Sequence, residues 1–266
     1  MSRELDPGAT QESKRIVFGW DSADFDALLR SCKADDAVTL AMGYLKNKDA
    51  RILEAGCGLG RVVKYLYDRG YKNAHGIEIN SEAVTFINKR FPELRVIQGD
   101  ILEMPYKAES FDFILSFGVV EHFSDGLYKP LRSLYRVLKN DGVAIITVPS
   151  LNRIRSLQAK ARKFLRATRG YSARIPRFEV WPSSGEFFEY RLAPEQFEDE
   201  CKNAGFHIVE SLPISHIDGL YYLVGRPLVY FSNWEFRVSI LGKMLNATLR
   251  TIPFLHNHMH ACVLRK

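Results

Sequence analysis

RILEAGCGLGR, residues 51–61, is the stretch on which the reading of this chain turns. Arg51 to Ala55 has the apolar, strand-like character of a short buried strand. It runs straight into a loop with three glycines, Gly56, Gly58 and Gly60. A strand followed by such a loop brings bare backbone close to a ligand, because glycine removes the Cβ and tolerates left-handed backbone. The open question is which ligand: a dinucleotide, a phosphate or another nucleotide.

Working outward, strand and helix signals alternate. RVVKYLYDR (61–69) reads as a helix ending at Gly70, and AHGIEI (74–79) as a second strand. Ser81 is the expected N-cap of SEAVTFINKRF, a helix that stops before Pro92. LRVIQGD is a third strand and FDFILSF (111–117) a fourth. A helix is predicted from Leu127 to Lys139, closed by the turn Asn140-Asp141-Gly142, before a fifth strand, GVAIITVP. This alternation predicts an α/β protein with a mainly parallel, helix-covered sheet.

The rhythm breaks after Pro149. Residues 150–193 form a basic and then aromatic insertion ending in WPSSGEFFEYR. It resumes with the helix PEQFEDECKNAG and the strand FHIVESLPI. Residues 216–257 are a second, aromatic insertion before a last strand, HMHACVLRK. The expected organisation is an N-terminal helical segment over 1–49, a ligand-binding half over 50–149, the cap insertion over 150–193, and the rest of the core over 194–266. No apolar run is long enough to span a membrane, and no secretory signal is expected at the polar start. The four cysteines have no CxxC pairing and read as free thiols of a reducing cytoplasm.

The spacing at 56–60 is GxGxG, one residue short of the dinucleotide fingerprint, and no P-loop GK[ST] follows. Glu78, at the end of the second strand, sits where a carboxylate can accept two ribose hydroxyls. Loop and acid together point to an adenosine-containing ligand. The four runs EAGCGLG, GIEIN, GDILEMPY and FDFILSFGVVEHF, in this order at strand ends, resemble the class I S-adenosylmethionine-dependent methyltransferases. The likeness is to the small-molecule branch that includes the quinone-biosynthesis enzymes, and it is clearest over residues 50–149.

The resemblance implies a Rossmann-like seven-stranded sheet with an antiparallel last strand, with cap insertions after strand 5 and between strands 6 and 7. It implies S-adenosyl-L-methionine as cofactor. Glu54, Gly56, Cys57, Gly58 and Gly60 would cradle its methionine end. Glu78 would take the ribose hydroxyls, with Ile79 beside the adenine. Asp100 would receive the adenine amino group, with Ile101 on the ring. Ser116, Phe117 and Gly118 would lie near the transferring methyl. Taken alone, Asp100 also reads as a turn residue.

His122, just past the fourth strand, is the expected base, with a helix-capping or supporting role as the alternative. Glu121 beside it would orient it or touch substrate. Trp181, Phe187, Phe188 and Tyr190 are candidate walls of the acceptor pocket, or core. His256, His258 and His260 alternate as a strand-borne HxHxH could for zinc, but packed histidines are the expected reading and no metal is predicted.

The net charge of +6 is local, because residues 151–178 hold nine Lys and Arg and no acid. As a helix, this segment would put Ile154, Leu157, Ala161 and Phe164 or Leu165 on one face. It is read as a solvated lid, a contact for an anionic membrane surface, or a recognition element for an acidic substrate.

The function expected is methyl transfer to a small or lipid-like acceptor, at oxygen, in the cytoplasm or at the membrane surface. RNA methylation through the basic lid and a non-catalytic, membrane-associated cofactor-binding protein are the alternatives. SFGVVEH lacks the Asn or Asp-Pro-Pro-aromatic run of base-amino methyltransferases, and no cysteine nucleophile stands beside a proline there, so a nucleic-acid partner is not expected.

Overall fold

The computed structural model describes residues 3–4, 17–18, 24–167, 178–180, 187–232 and 234–266. Two short helices lead in, α1 (Phe25–Ser31) and α2 (Asp36–Tyr44). The strands of the main sheet are β1 (Ile52–Ala55), β2 (Ala74–Glu78), β3 (Arg95–Gln98), β4 (Phe111–Phe117), β5 (Leu138–Pro149), β6 (His207–Ile214) and β7 (Met259–Arg265). Between them run α3 (Arg61–Asp68), α4 (Ser81–Arg90), α5 (Tyr128–Val137), α6 (Arg153–Ala167), α7 (Pro194–Asn203), α8 (His216–Val224) and α9 (Ile240–Leu249).

The sheet order is β6-β7-β5-β4-β1-β2-β3. The strands from β5 to β3 pair in parallel, and β7 is antiparallel to both neighbours. Strand alternation sends side chains into two apolar layers. On β4, Phe113 and Leu115 join Val62, Leu66 and Ile87 of α3 and α4, whereas Ile114 joins Leu131, Leu134 and Phe197 of α5 and α7. The sheet is thus covered on both faces, as its near-continuous apolar strands require.

The chain leaves β1 toward β2 and β3, then returns to place β4 on β1's other side. That makes the β1/β4 boundary a topological switch point, where a crevice opens beyond the strand ends. Gly56 follows β1 and Gly118 follows β4, so both open into it.

Two local expectations change. The N-cap of α4 is Asn80, whose side chain accepts from the Ala83 amide at 2.9 Å, while Ser81 is already the first helical residue. The Asn140-Asp141-Gly142 segment is part of a strand, since β5 begins at Leu138, pairs with Phe111 and reaches Val143 opposite Phe113 through an irregularity in register. The capping assignment is testable by chemical denaturation. Asn80→Ala is expected to lose about 1 kcal/mol of stability, and Ser81→Ala close to none; the reverse ranking would restore Ser81 as the cap.

Candidate active site

The glycine loop is tied down by backbone and by buried carboxylates. The amides of Gly56 and Cys57 both donate to the Ile77 carbonyl, at 2.9 and 3.1 Å, and the Gly60 amide donates to the Cys57 carbonyl at 2.8 Å. Gly56, Gly58 and Gly60 all have positive φ (77°, 52° and 72°), a region that side chains rarely occupy. At Gly56 there is a second constraint, because a Cβ would come within 2.5 Å of the Val119 side chain. This lets the loop after β1 and the loop after β4 close on each other.

Glu78 is buried at the end of β2. Its Oε2 accepts from the Gly58 amide at 2.8 Å and its Oε1 from the Asn80 amide at 2.9 Å. Burial raises its pKa, and these amides oppose the rise. Each carboxylate oxygen has a second lone pair, so two further donors can be received. Glu54 is buried beneath the loop, where its Oε2 accepts from the Val63 amide at 3.1 Å. Burial pushes it up to about 8, against the pull of Arg61 and the Val63 amide. Arg61 opens α3 and pairs with Asp35 at 2.6 Å, which ties the N-cap of α2 to the end of the loop.

Asp100 caps the short 3-10 turn Ile101–Glu103 by accepting from the Leu102 amide at 2.9 Å. Ile101 is buried in the α5 layer, and Ile79 is half-buried at the loop after β2. Cys57 is buried, with its thiol pKa raised by burial, which suits a small filler and not a nucleophile. Ser116, at the end of β4, is fully buried, and its Oγ has no hydrogen-bond partner among the described residues. A buried hydroxyl in that state calls for a polar partner. Phe117 packs toward α2 and β7, and Gly118 again has positive φ (70°).

Beyond Gly118 the chain turns through Val120–His122. His122 Nδ1 lies 2.9 Å from the carbonyl oxygen of Phe188, and the two rings are 5.3 Å apart. That hydrogen bond places the proton on Nδ1 and leaves Nε2 as the acceptor nitrogen. Burial pushes His122 down to about 4, only partly offset by the Phe188 carbonyl. Glu121 is almost fully buried, and its Oε1 stands 3.8 Å from His122 Nε2, too far for a hydrogen bond. Its pKa is raised well above the ordinary value by burial.

Glu189, which the sequence reading passed over, completes the cluster. One ligand atom from each of Glu121, His122 and Glu189 lies within 4.8 Å of the others, a group able to hold a metal ion. Glu189 also accepts from Arg191 at 3.0 Å.

The rings of Phe187 and Tyr190 pack at a tilt with centroids 5.0 Å apart, and the Tyr190 hydroxyl donates to the Ser124 carbonyl at 2.8 Å. The described strand Phe187–Tyr190 therefore lies against the turn that follows β4. Trp181 falls outside the described residues, as do Arg169, Arg174 and Arg177. The three alternating histidines do not converge. His256 meets Asn246 (2.8 Å), His258 meets Arg155 (2.9 Å) and His260 meets Ser211 (2.8 Å). The four cysteines are all free and buried.

A glycine loop, a buried strand-end acid and a switch-point crevice define an α/β nucleotide-binding protein. Residues 53–146 match the family model described as a methyltransferase domain, Methyltransf_11. The chain is 29% identical over 183 residues to the ubiquinone/menaquinone biosynthesis C-methyltransferase UbiE of Campylobacter jejuni, covering 63% of this chain and 74% of that protein. It is 28% identical over 167 residues to the uncharacterized protein MJ1252 of Methanocaldococcus jannaschii, covering 59% of this chain and 62% of that one. The fold is shared with the PH0226 protein of Pyrococcus horikoshii at a TM-score of 0.57 and 16% identity, over 92% of both chains.

Residues 53–146 therefore form a methyltransferase domain, which uses S-adenosyl-L-methionine as its cofactor. The residues present suit that cofactor, because the loop is bare, Glu78 can accept two hydroxyls and the Ser116 hydroxyl awaits a partner. Glu78→Ala is expected to weaken S-adenosylmethionine binding by more than about a hundred-fold in calorimetry, since it removes hydrogen bonds to a charged acceptor worth about 1.5–3 kcal/mol each. Unaltered affinity would move the ribose elsewhere.

Proposed function

We propose that this chain transfers the methyl group of S-adenosyl-L-methionine to an oxygen of a small or lipid-like acceptor, with His122 as the base. The observation that carries this reading is the hydrogen bond from His122 Nδ1 to the Phe188 carbonyl. It fixes the tautomer and turns Nε2 into a proton acceptor beside the end of β4. Gly56, Gly58 and Gly60 cradle the methionine end, Glu78 holds the ribose and Asp100 the adenine amino group. Ser116 and Gly118 border the reacting carbon. Phe187, Phe188 and Tyr190 wall an apolar acceptor.

When bound, the cofactor supplies a methyl already activated by its sulfonium. What remains for the protein is alignment, exclusion of water and removal of one proton. His122 Nε2 would take the hydroxyl proton as the acceptor oxygen receives the methyl group, and the demethylated cofactor would depart as a neutral thioether. His122 is uncharged at neutral pH because burial holds its pKa near 4, so it does not repel the incoming sulfonium. Glu121 and Glu189 stand beside the imidazolium formed, and a positive charge there draws their carboxyls toward ionisation, which offsets it.

His122→Ala is expected to lower turnover by about a hundred-fold or more and to leave S-adenosylmethionine affinity intact. Wild-type turnover in that variant would remove His122 as the base. The pH profile gives a separate check. A base with its pKa near 4 is unprotonated at all higher pH, so turnover falls only as pH drops toward about 4. An acid limb near the ordinary histidine value of ~6.5 would show that the ring is not held as described.

A further inference from the structure

Helix α9 is built inside out. Its inward residues are Gly242 and Asn246, and its outward ones are Ile240, Leu241 and Met244, at 78%, 68% and 62% exposure. The inward face is fixed. Ser239 caps the helix by accepting from the Gly242 amide at 3.1 Å. A Cβ on Gly242 would fall 2.6 Å from the Leu228 carbonyl oxygen, so the backbones touch there. Asn246 bonds His256 at 2.8 Å in a buried pair. The helix cannot roll to bury its apolar side without breaking these contacts.

The neighbouring elements continue the pattern. Of the twelve large hydrophobic residues exposed among those described, nine lie between Tyr222 and Ile252. They include Tyr222, Leu223 and Val224 at the end of α8, and Tyr230 and Phe231 on the Val229–Ser232 strand of a small hairpin. Helix α8 touches both α9 and the Val229–Ser232 strand, and exposed apolar residues gathered in this way mark a docking surface.

Its charge chooses the occupant. Arg226, Arg237, Lys243 and Arg250 are exposed in the same insertion, against one exposed acid, Glu235. The basic helix α6 is rooted at its base, with the Arg153 and Ile154 amides donating to the Phe254 and Leu255 carbonyls at 2.8 and 3.2 Å. The α6 sequence carries six Lys and Arg and no acid, and its Leu157 is exposed too. A second copy of the chain would set this positive excess against itself. A bilayer with anionic headgroups offers both an apolar layer and compensating charge.

We propose that the 216–252 insertion is a membrane-docking face, in which Ile240, Leu241 and Met244 enter the headgroup layer of an anionic bilayer while Lys243, Arg237 and the exposed Arg153 and Lys160 of α6 hold its phosphates. The contact lies in the interface, because among the described residues no helix is long and apolar enough to cross a membrane. The face has a use for an enzyme with a lipid-like acceptor. Tyr222 and Phe231 also line a cavity of about 710 Å³, and Leu59 and Arg61, which flank the last glycine of the cofactor loop, line it as well. An acceptor leaving the bilayer meets that cavity directly.

Co-sedimentation of the full chain with phosphatidylcholine vesicles, and with vesicles in which part of the lipid is phosphatidylglycerol, tests the docking without any methyl-transfer assay. Binding to the anionic vesicles alone is expected, weakening as salt rises. The pair I240D/M244D should reduce it by more than about ten-fold, with an unchanged melting midpoint because both side chains already face solvent. The charge-reversed pair R237E/K243E should do the same without altering an apolar residue. Wild-type protein left in the supernatant with both lipids would overturn the proposal, as would either pair binding like wild type. A wild-type dimer in light scattering that I240D/M244D dissolves, without vesicle binding, would assign the face to a second copy and overturn it equally. None of these outcomes bears on whether His122 is the base.

Discussion

The site depends on one buried carboxylate. Glu78 accepts the Gly58 amide with one oxygen and the Asn80 amide with the other. It thereby ties the loop after β1 to the turn after β2 across the strand ends. Burying a carboxylate is unfavourable unless hydrogen bonds compensate, and backbone amides held by glycine geometry are donors that do not move away. The same carboxylate therefore shapes the loop, sets the cap position of α4 and remains able to accept hydroxyls from a ribose. Glu54 plays the matching part below the loop through the Val63 amide.

The second half of the site is assembled from distant chain. Val120–His122 follows β4, whereas Phe188 and Glu189 arrive from the cap insertion. Their meeting fixes the histidine's tautomer, since a ring donating from Nδ1 to a carbonyl can accept a proton only at Nε2. Burial lowers the histidine and raises both carboxyls. The resting cluster is therefore driven toward neutrality.

The sheet was readable because β4 and β5 are apolar runs bounded by turn residues, and because GxGxG, Glu78 and Asp100 stand at strand ends in chain order. Local competition blurred the boundaries. Asn80 and Ser81 are both good caps, and Glu78 drawing the Asn80 amide settles between them. Asn140-Asp141-Gly142 looks like a turn, but the pairing of Leu138 with Phe111 extends the strand through it.

Glu189 carried no local signal, because its role exists only beside Glu121 and His122. The α6 pattern predicted a face containing Leu157, yet Leu157 stays in solvent. Periodicity finds an apolar stripe but not what covers it. On α9 the decisive signal was the small and polar pair Gly242 and Asn246, one turn apart, which is the face that packs.

The central claim is that the loop from Gly56 to Gly60, with Glu78, holds the adenosine and methionine parts of S-adenosyl-L-methionine and not a dinucleotide. Calorimetric titration of the wild-type chain with S-adenosyl-L-methionine, its demethylated product and NAD tests it most directly. Saturable binding of the first two, with no heat from NAD, is the predicted result. Tight NAD binding with no response to S-adenosyl-L-methionine would contradict the account.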